Sequence, residues 1–276
     1  MPPLDQMNQL LADPDPREMN FYEHLGELRR ALVISVLAIM VGAVAGFTWH
    51  KPLLDLLRAQ IPNVQFIIVS PAEGFTAVLR MSIMLGLLLG LPVILRELFW
   101  FVGPALTKVQ RLVLIPITLV SYGLFIAGIY FAYKLLLPLS VAFLIGFTPA
   151  GITPMISLDR YVGFAAMLIF STGLMFQVPI VMLLLAMFGL LRRSRLAAQR
   201  RYTLLLSFVV AAVITPSVDI MTQSLLAGTL MLLFEIGLSL MWLVEKIRPP
   251  RPAPDYSIPP EPEAAQVVES VTPDTD

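Results

Sequence analysis

The sequence has no cysteine, so no disulfide, thiolate metal site or thiol nucleophile is possible. Histidine is nearly absent too, with only His24 and His50. His24 lies in an amphipathic lead-in and His50 at the outer edge of the first apolar run, so a Ser-His dyad inside the membrane is not expected. There is no H-E-x-x-H and no aspartate pair within an apolar run. There is no Walker loop either, so nucleotide-driven transport would need another subunit. Charged residues make up only 14% of the chain and sum to zero, with no basic stripe for nucleic acid. These absences leave no candidate catalytic residue and no candidate metal or cofactor site.

What is abundant is apolar. Of 276 residues, 57% are hydrophobic, which places the chain among polytopic membrane proteins. The first thirty residues are polar, and the apolar run after them has no small-residue cleavage site. A retained first span is expected.

The stretch Ser70 to Leu106 organises the rest. Ser70 is a candidate N-cap, Pro71 sits at the first helical position, and Glu73 follows three residues after the cap. From Phe75 to Leu95 Arg80 is the only charge. Twenty-one residues at ~1.5 Å each give about 30 Å, enough to cross a hydrocarbon core. Arg80 is expected to snorkel to the interface. The run leaves through Arg96, Glu97 and the aromatics Phe99, Trp100 and Phe101, as at an aromatic belt. Gly86, Gly90 and Pro92 suit close helix contact or a bend.

Taken in order, residues 1–19 read as a disordered tail with four prolines. Residues 20–245 read as a membrane domain with spans near 31–48, 74–95, 112–133, 160–191, 202–214 and 224–244. The loop after the first span has an apolar piece, Pro52 to Leu57, and an extended piece, Val64 to Val69. The run Leu135 to Phe147, broken by Pro138, is too short to cross and predicts a cap on the membrane surface. Residues 246–276 are Pro-rich and acidic, and predict a disordered tail. The fold class is therefore all-α, a six-helix membrane bundle. Six spans put both termini on one side. That side holds fourteen Lys and Arg and the other four, so the positive-inside rule makes it cytoplasmic.

Few polar groups lie within the spans. Tight pairing of spans five and six puts Glu235 near the level of Arg200 and Arg201, where a neighbouring arginine can satisfy it. Gln177, beside Pro179, suits an interhelical hydrogen bond, either within the structure or to a partner. The plain role for Glu27 is a helix-surface ion pair with Arg30. An ion-coupled small-solute transporter would use Gln177 and Glu235 at its midplane, and stands as the alternative function.

Four motifs stand in register: HLGELRRAL at 24–32, the stretch 70–106, FQVPIVMLL at 176–184 and ITPSVDIMTQSLLAGTLMLLFEIG at 214–237. Together, across residues 21–245, they resemble the TatC family, the multispanning receptor subunit of the twin-arginine protein translocase. The resemblance implies a glove-shaped bundle in the plasma (inner) membrane. It implies binding of twin-arginine signal peptides at the cytoplasmic face, single-span partners of TatA and TatB type, and export of folded proteins on the proton gradient. The family's H-L-x-E-L-R pattern falls on His24, Leu25, Glu27, Leu28 and Arg29, and its arginine-reading glutamate on Glu27. Its aromatic, Pro-x-Leu and basic pattern falls on Trp100, Phe101, Pro104, Leu106 and Arg111. A second glutamate common just before that arginine is Gln110 here, so a two-carboxylate clamp lacks one member in this pattern. Signal-peptide contacts are thus expected from Glu27, Arg29, Phe101, Gln110 and Arg111. Partner-helix contacts are expected from Gln177 and from the outer-turn residues Thr215, Asp219 and Gln223. Pro92, Pro104 and Glu235 are expected to be structural.

The fifth span is short. Thirteen residues reach only about 20 Å, so the outer ends of spans five and six are expected to sit in a thinned or water-filled region.

Overall fold

The computed structural model describes residues 21–61, 64–103, 108–149, 151–215 and 220–247. The expected tails, 1–19 and most of 246–276, lie outside the described residues, as do Pro104, Leu106, Pro216 and Asp219.

The chain is a helical bundle. Helix α1 (Phe21–Thr48) leads into the short α2 (His50–Arg58) and the strand β1 (Gln65–Ile67). Helix α3 (Glu73–Val102) returns, and α4 (Lys108–Phe131) runs through a π-helical turn, Ala132–Leu136, into α5 (Leu137–Gly146). Strand β2 (Met155–Ser157) precedes α6 (Leu158–Met175) and α7 (Val178–Met187). Helices α8 (Arg193–Ala198), α9 (Arg200–Ile214) and α10 (Ile220–Ile247) close the described chain. Five stretches are long and apolar enough to cross a membrane: 24–48, 73–101, 114–146, 158–187 and 220–243. Helix α9 has 15 residues, or about 22 Å, and falls short of that length.

Helices α1 and α3 touch backbone to backbone. A Cβ on Gly86 would stand 2.6 Å from the Ile39 carbonyl oxygen, and one on Gly46 2.8 Å from that of Ser82. Small residues four apart on both helices (Gly42 and Gly46, Gly86 and Gly90) allow this approach. The opposite face of α1 presents Leu32, Val36, Met40 and Val44 outward, as suits lipid.

Three features differ from the sequence expectations. The run 135–147 is not a separate surface cap but the continuation of α4 through the π turn. Pro138 lacks an N–H, and the wider turn just before it relieves the clash its ring would make with the preceding turn. The fourth span is two helices, α6 and α7, meeting at Phe176 and Gln177, with Pro179 opening the second. Arg80 does not simply snorkel: its Nε lies 3.2 Å from Asp159 Oδ1 on α6.

The extended piece expected near 64–69 is β1, and it pairs in parallel with β2, Phe66 opposite Ile156. This short ladder joins α2 and the start of α6 into a cap beside the start of α3. Tyr133 Oη donates to the Leu56 carbonyl at 2.9 Å, and Tyr161 Oη to that of Leu57 at 2.8 Å. A fourth difference lies at the start of α3: the N-cap is Ala72, without a side-chain cap, and not Ser70, and Glu73 is the first helical residue. Glu73 Oε2 accepts from the Val69 N–H at 2.7 Å, one residue before Ser70, and Oε1 accepts from Ser157 Oγ at 3.0 Å.

Candidate functional site

Charge and aromatic surface meet where α1 begins and α3 finishes. The α1–α3 glycine contact fixes the two helices side by side, so residues one turn into α1 face the last two turns of α3. Between them is a recess of about 130 Å³ lined by Glu27, Arg30, Arg96, Glu97, Trp100 and Phe101, with Ala31. The His24 ring stacks on Phe101 with centroids 4.2 Å apart and planes 17° apart. His24 Nδ1 is 4.0 Å from Glu27 Oε2. That oxygen is buried and has no hydrogen-bond partner among the described residues. Glu97 is 8% exposed and accepts from Arg96 Nη1 at 3.4 Å. The recess therefore holds two carboxylates with little hydrogen bonding among the described residues, two arginines, Arg30 and Arg96, that balance their charge, and two aromatic side chains. Such a surface suits a cationic, planar group.

The structure brings Glu27 and Phe101 together, as the motifs implied. Arg29 is exposed on α1 and does not line the recess. Gln110 and Arg111 lie in the first turn of α4, on a helix and not in the loop expected for them. Glu97 was quoted in the sequence only as part of the helix exit. Its spacing was the available signal, since Trp100 and Phe101 at i+3 and i+4 share its helix face.

The polar groups expected elsewhere are engaged internally. Gln177 accepts from Ser121 Oγ and donates from Nε2 to the Ser121 carbonyl at 3.0 Å, tying the kink to α4. Thr215 is buried, and its hydroxyl donates to the Ala211 carbonyl at 2.9 Å. Gln223 Nε2 donates to the Phe208 carbonyl at 3.3 Å, linking α10 to α9. Glu235 receives a two-pronged pair from Arg200, at 2.7 and 2.9 Å, at the level the hairpin arithmetic gave. Pro92 lies within α3. Among the described residues, no group of three or more His, Cys, Asp or Glu could hold a metal ion.

A second, larger hollow of about 910 Å³ lies between α6–α7, α9 and α10. Its walls are mostly apolar, with Leu174, Met182, Val210, Leu230 and Phe234 inside and Tyr202 and Gln199 at the α9 start.

Residues 23–228 match the family described as Sec-independent protein translocase protein (TatC). The chain belongs to the TatC family. It is 41% identical over 234 residues to the chloroplastic TATC protein of Oryza sativa subsp. japonica, covering 84% of this chain and 64% of the rice protein. It thus spans a little under two thirds of that relative's length. It is 37% identical over 233 residues to the TatC protein of a Synechocystis strain, covering 84% of this chain and 92% of that protein. A crystal structure of the twin arginine translocase receptor TatC superposes with a TM-score of 0.70 at 36% identity. That match covers 80% of this chain and 99% of the other. The chain is a multi-pass membrane protein of this family.

Proposed function

We propose that this chain is the receptor subunit of a twin-arginine translocase and binds twin-arginine signal peptides at the recess between α1 and α3. One observation carries the reading: Glu27, whose buried Oε2 has no hydrogen bond among the described residues, lines a recess with Glu97 and the aromatics Trp100 and Phe101. Adjacent guanidiniums need carboxylate acceptors near water and flat faces to lie against. In this reading α9 is the sixth span, both termini are cytoplasmic, and the membrane is the plasma (inner) membrane. The recess then opens at the cytoplasmic surface, with Arg29, Gln110 and Arg111 around it. The apolar core of the peptide follows into the bilayer beside α3.

Single-span partners of TatA and TatB type would pack near the kink at Gln177 and the outer turn with Thr215, Asp219 and Gln223. The assembled complex would export folded proteins on the proton gradient, with no cofactor in this subunit. The solute-transporter alternative gains nothing from the geometry, because Gln177 and Glu235 spend their polar atoms on Ser121 and Arg200.

The test is affinity of the purified full chain for a fluorescent twin-arginine peptide. Glu27→Ala should weaken binding about tenfold or more, the size of one lost charge-assisted interaction, with the fold intact. Wild-type affinity in a well-folded Glu27→Ala protein would refute the receptor site.

A further inference from the structure

We infer that Glu97 is a specificity-determining residue of this recess. It supplies the second carboxylate for a pair of guanidiniums, and Arg96 is the side chain it releases to do so. The inference rests on the receptor reading above and adds which groups tell arginine from lysine.

Glu97 is 8% exposed, a depth at which carboxylates are normally paired and well hydrogen-bonded. Its hydrogen bond among the described residues is one from the adjacent Arg96, at 3.4 Å, near the limit of a useful distance. A carboxylate can accept about four such bonds. The Arg96 side chain is 72% exposed, so it loses little by turning to water. In the same recess Glu27 Oε2 is buried without a hydrogen bond, and its ionic neighbour His24 is 4.0 Å away. Two carboxylates with few bonds among the described residues thus line one small cavity with Trp100 and Phe101, and the cations there are this chain's own Arg30 and Arg96, which an incoming guanidinium would displace.

One carboxylate can take one guanidinium in the parallel two-bond geometry; two adjacent guanidiniums need two. Gln110 is neutral, and Glu97 is the other carboxylate on the recess wall. An incoming guanidinium would replace the single long bond from Arg96 with two short ones. A lysine ammonium cannot form that fork, so it gains less from the exchange. Aromatic faces beside the carboxylates favour the flat guanidinium further.

The experiment uses the full chain in detergent and two fluorescent peptides, one with the arginine pair and one with lysines in its place. Glu97→Gln keeps the side-chain volume. It should weaken the arginine peptide about tenfold and leave the lysine peptide within about twofold, so their ratio collapses. Arg96→Ala should bind the arginine peptide as well as the wild type or more tightly. The inference is overturned if Glu97→Gln binds the arginine peptide like the wild type while Glu27→Ala loses it. It is equally overturned if Arg96→Ala and Glu97→Gln weaken binding alike, since that marks a structural pair. If Glu27→Ala also binds normally, the receptor site itself fails. Should Glu97→Gln not accumulate, Arg96→Ala alone decides: loss of affinity overturns the inference, and equal or tighter binding supports it.

Discussion

At the start of α3, Glu73 accepts from the Val69 N–H and from Ser157 Oγ, and one turn or two later Arg80 lies against Asp159 of α6. At the finish of the same helix, among the described residues, Glu97 has one long bond to its neighbour and Glu27, across from it, leaves an oxygen unbonded. Both ends are built from the same residue types. At the first, side chains from distant parts of the sequence close on one another and fasten β1, β2 and α6 to the helix. At the second, the groups are held near one another but left short of partners. Unsatisfied buried charge costs stability, so it persists where a ligand completes it. Asp159 Oδ1 in the clamp is also buried without a hydrogen bond among the described residues, but the Arg80 guanidinium lies 3.2 Å from it, whereas the ionic neighbour of Glu27 Oε2 is His24 at 4.0 Å. A close ion pair, not hydrogen-bond satisfaction, separates the clamp from the site.

The comparison depends on α1 and α3 staying in backbone contact, so the largest effect should come from breaking that contact. Gly86→Val puts branched carbon against the Ile39 carbonyl and the Ala43 N–H, 2.6 and 2.8 Å from where a Cβ would stand. Neither neighbour is the end of a flexible side chain. Overpacking of this kind costs about 3 kcal/mol or more. The expected outcome is loss of monodisperse protein in detergent and loss of peptide binding together. A Gly86→Val chain that melts like the wild type would show the two helices free to separate.

Much of this frame was legible in the sequence. Gly86 and Gly90, four apart on α3, suited a close helix contact, though not with a named partner, and tight pairing of spans five and six placed Glu235 near Arg200 and Arg201. The apolar runs located most of the long helices, but not the kink that divides the fourth span or the joining of 112–133 to 135–147. What the sequence hid were relations between distant segments. Nothing local says that Gln65–Ile67 will pair with Met155–Ser157, since three residues carry no period. Pro138 looked like a break because a π turn upstream that absorbs a proline has no composition of its own. Glu97 looked like a boundary charge because its burial comes from α1, seventy residues away.

The outer clamp should give the next largest effect. Arg80→Leu leaves Asp159, whose side chain is 17% exposed, without its ionic neighbour. Arg80 is itself half exposed, so the loss is discounted for solvent screening, to about 1–2 kcal/mol. Thermal unfolding in a fixed detergent should shift down by a few degrees, with peptide affinity unchanged. A binding defect without a stability defect would reverse the assignment of the two ends.

The recess should respond with the opposite sign. Glu27→Leu removes a buried oxygen that has no hydrogen bond and fills the space with carbon, so the chain should unfold at equal or higher temperature, by up to about 1 kcal/mol. Peptide binding should be lost in the same protein. Marked destabilisation by Glu27→Leu would mean that the carboxylate is structural and that the two ends of α3 do not differ in kind.

The smallest effect should come from Glu235, and it sharpens the comparison by separating chemistry from position. Helix α9 starts with Arg200, and Arg200 meets Glu235 of α10 through two short bonds of 2.7 and 2.9 Å. The geometry is the planar fork that makes arginine–carboxylate pairs specific. Both side chains are nevertheless about half exposed, at 51% and 43%. Water screens such a pair and competes for it, so its net worth is about 0.5 kcal/mol. Glu235→Gln keeps an acceptor for Arg200 and should shift the unfolding temperature by a degree or two at most. Peptide affinity should not move, because the acceptors are already taken by a side chain of the same chain. A cycle of Glu235→Gln, Arg200→Gln and the double variant measures the coupling directly. A coupling near zero or up to ~1 kcal/mol fits a half-exposed pair. Loss of peptide binding in Glu235→Gln would show that a satisfied carboxylate can also belong to the site. Close ion pairing would then no longer distinguish the clamp from the receptor.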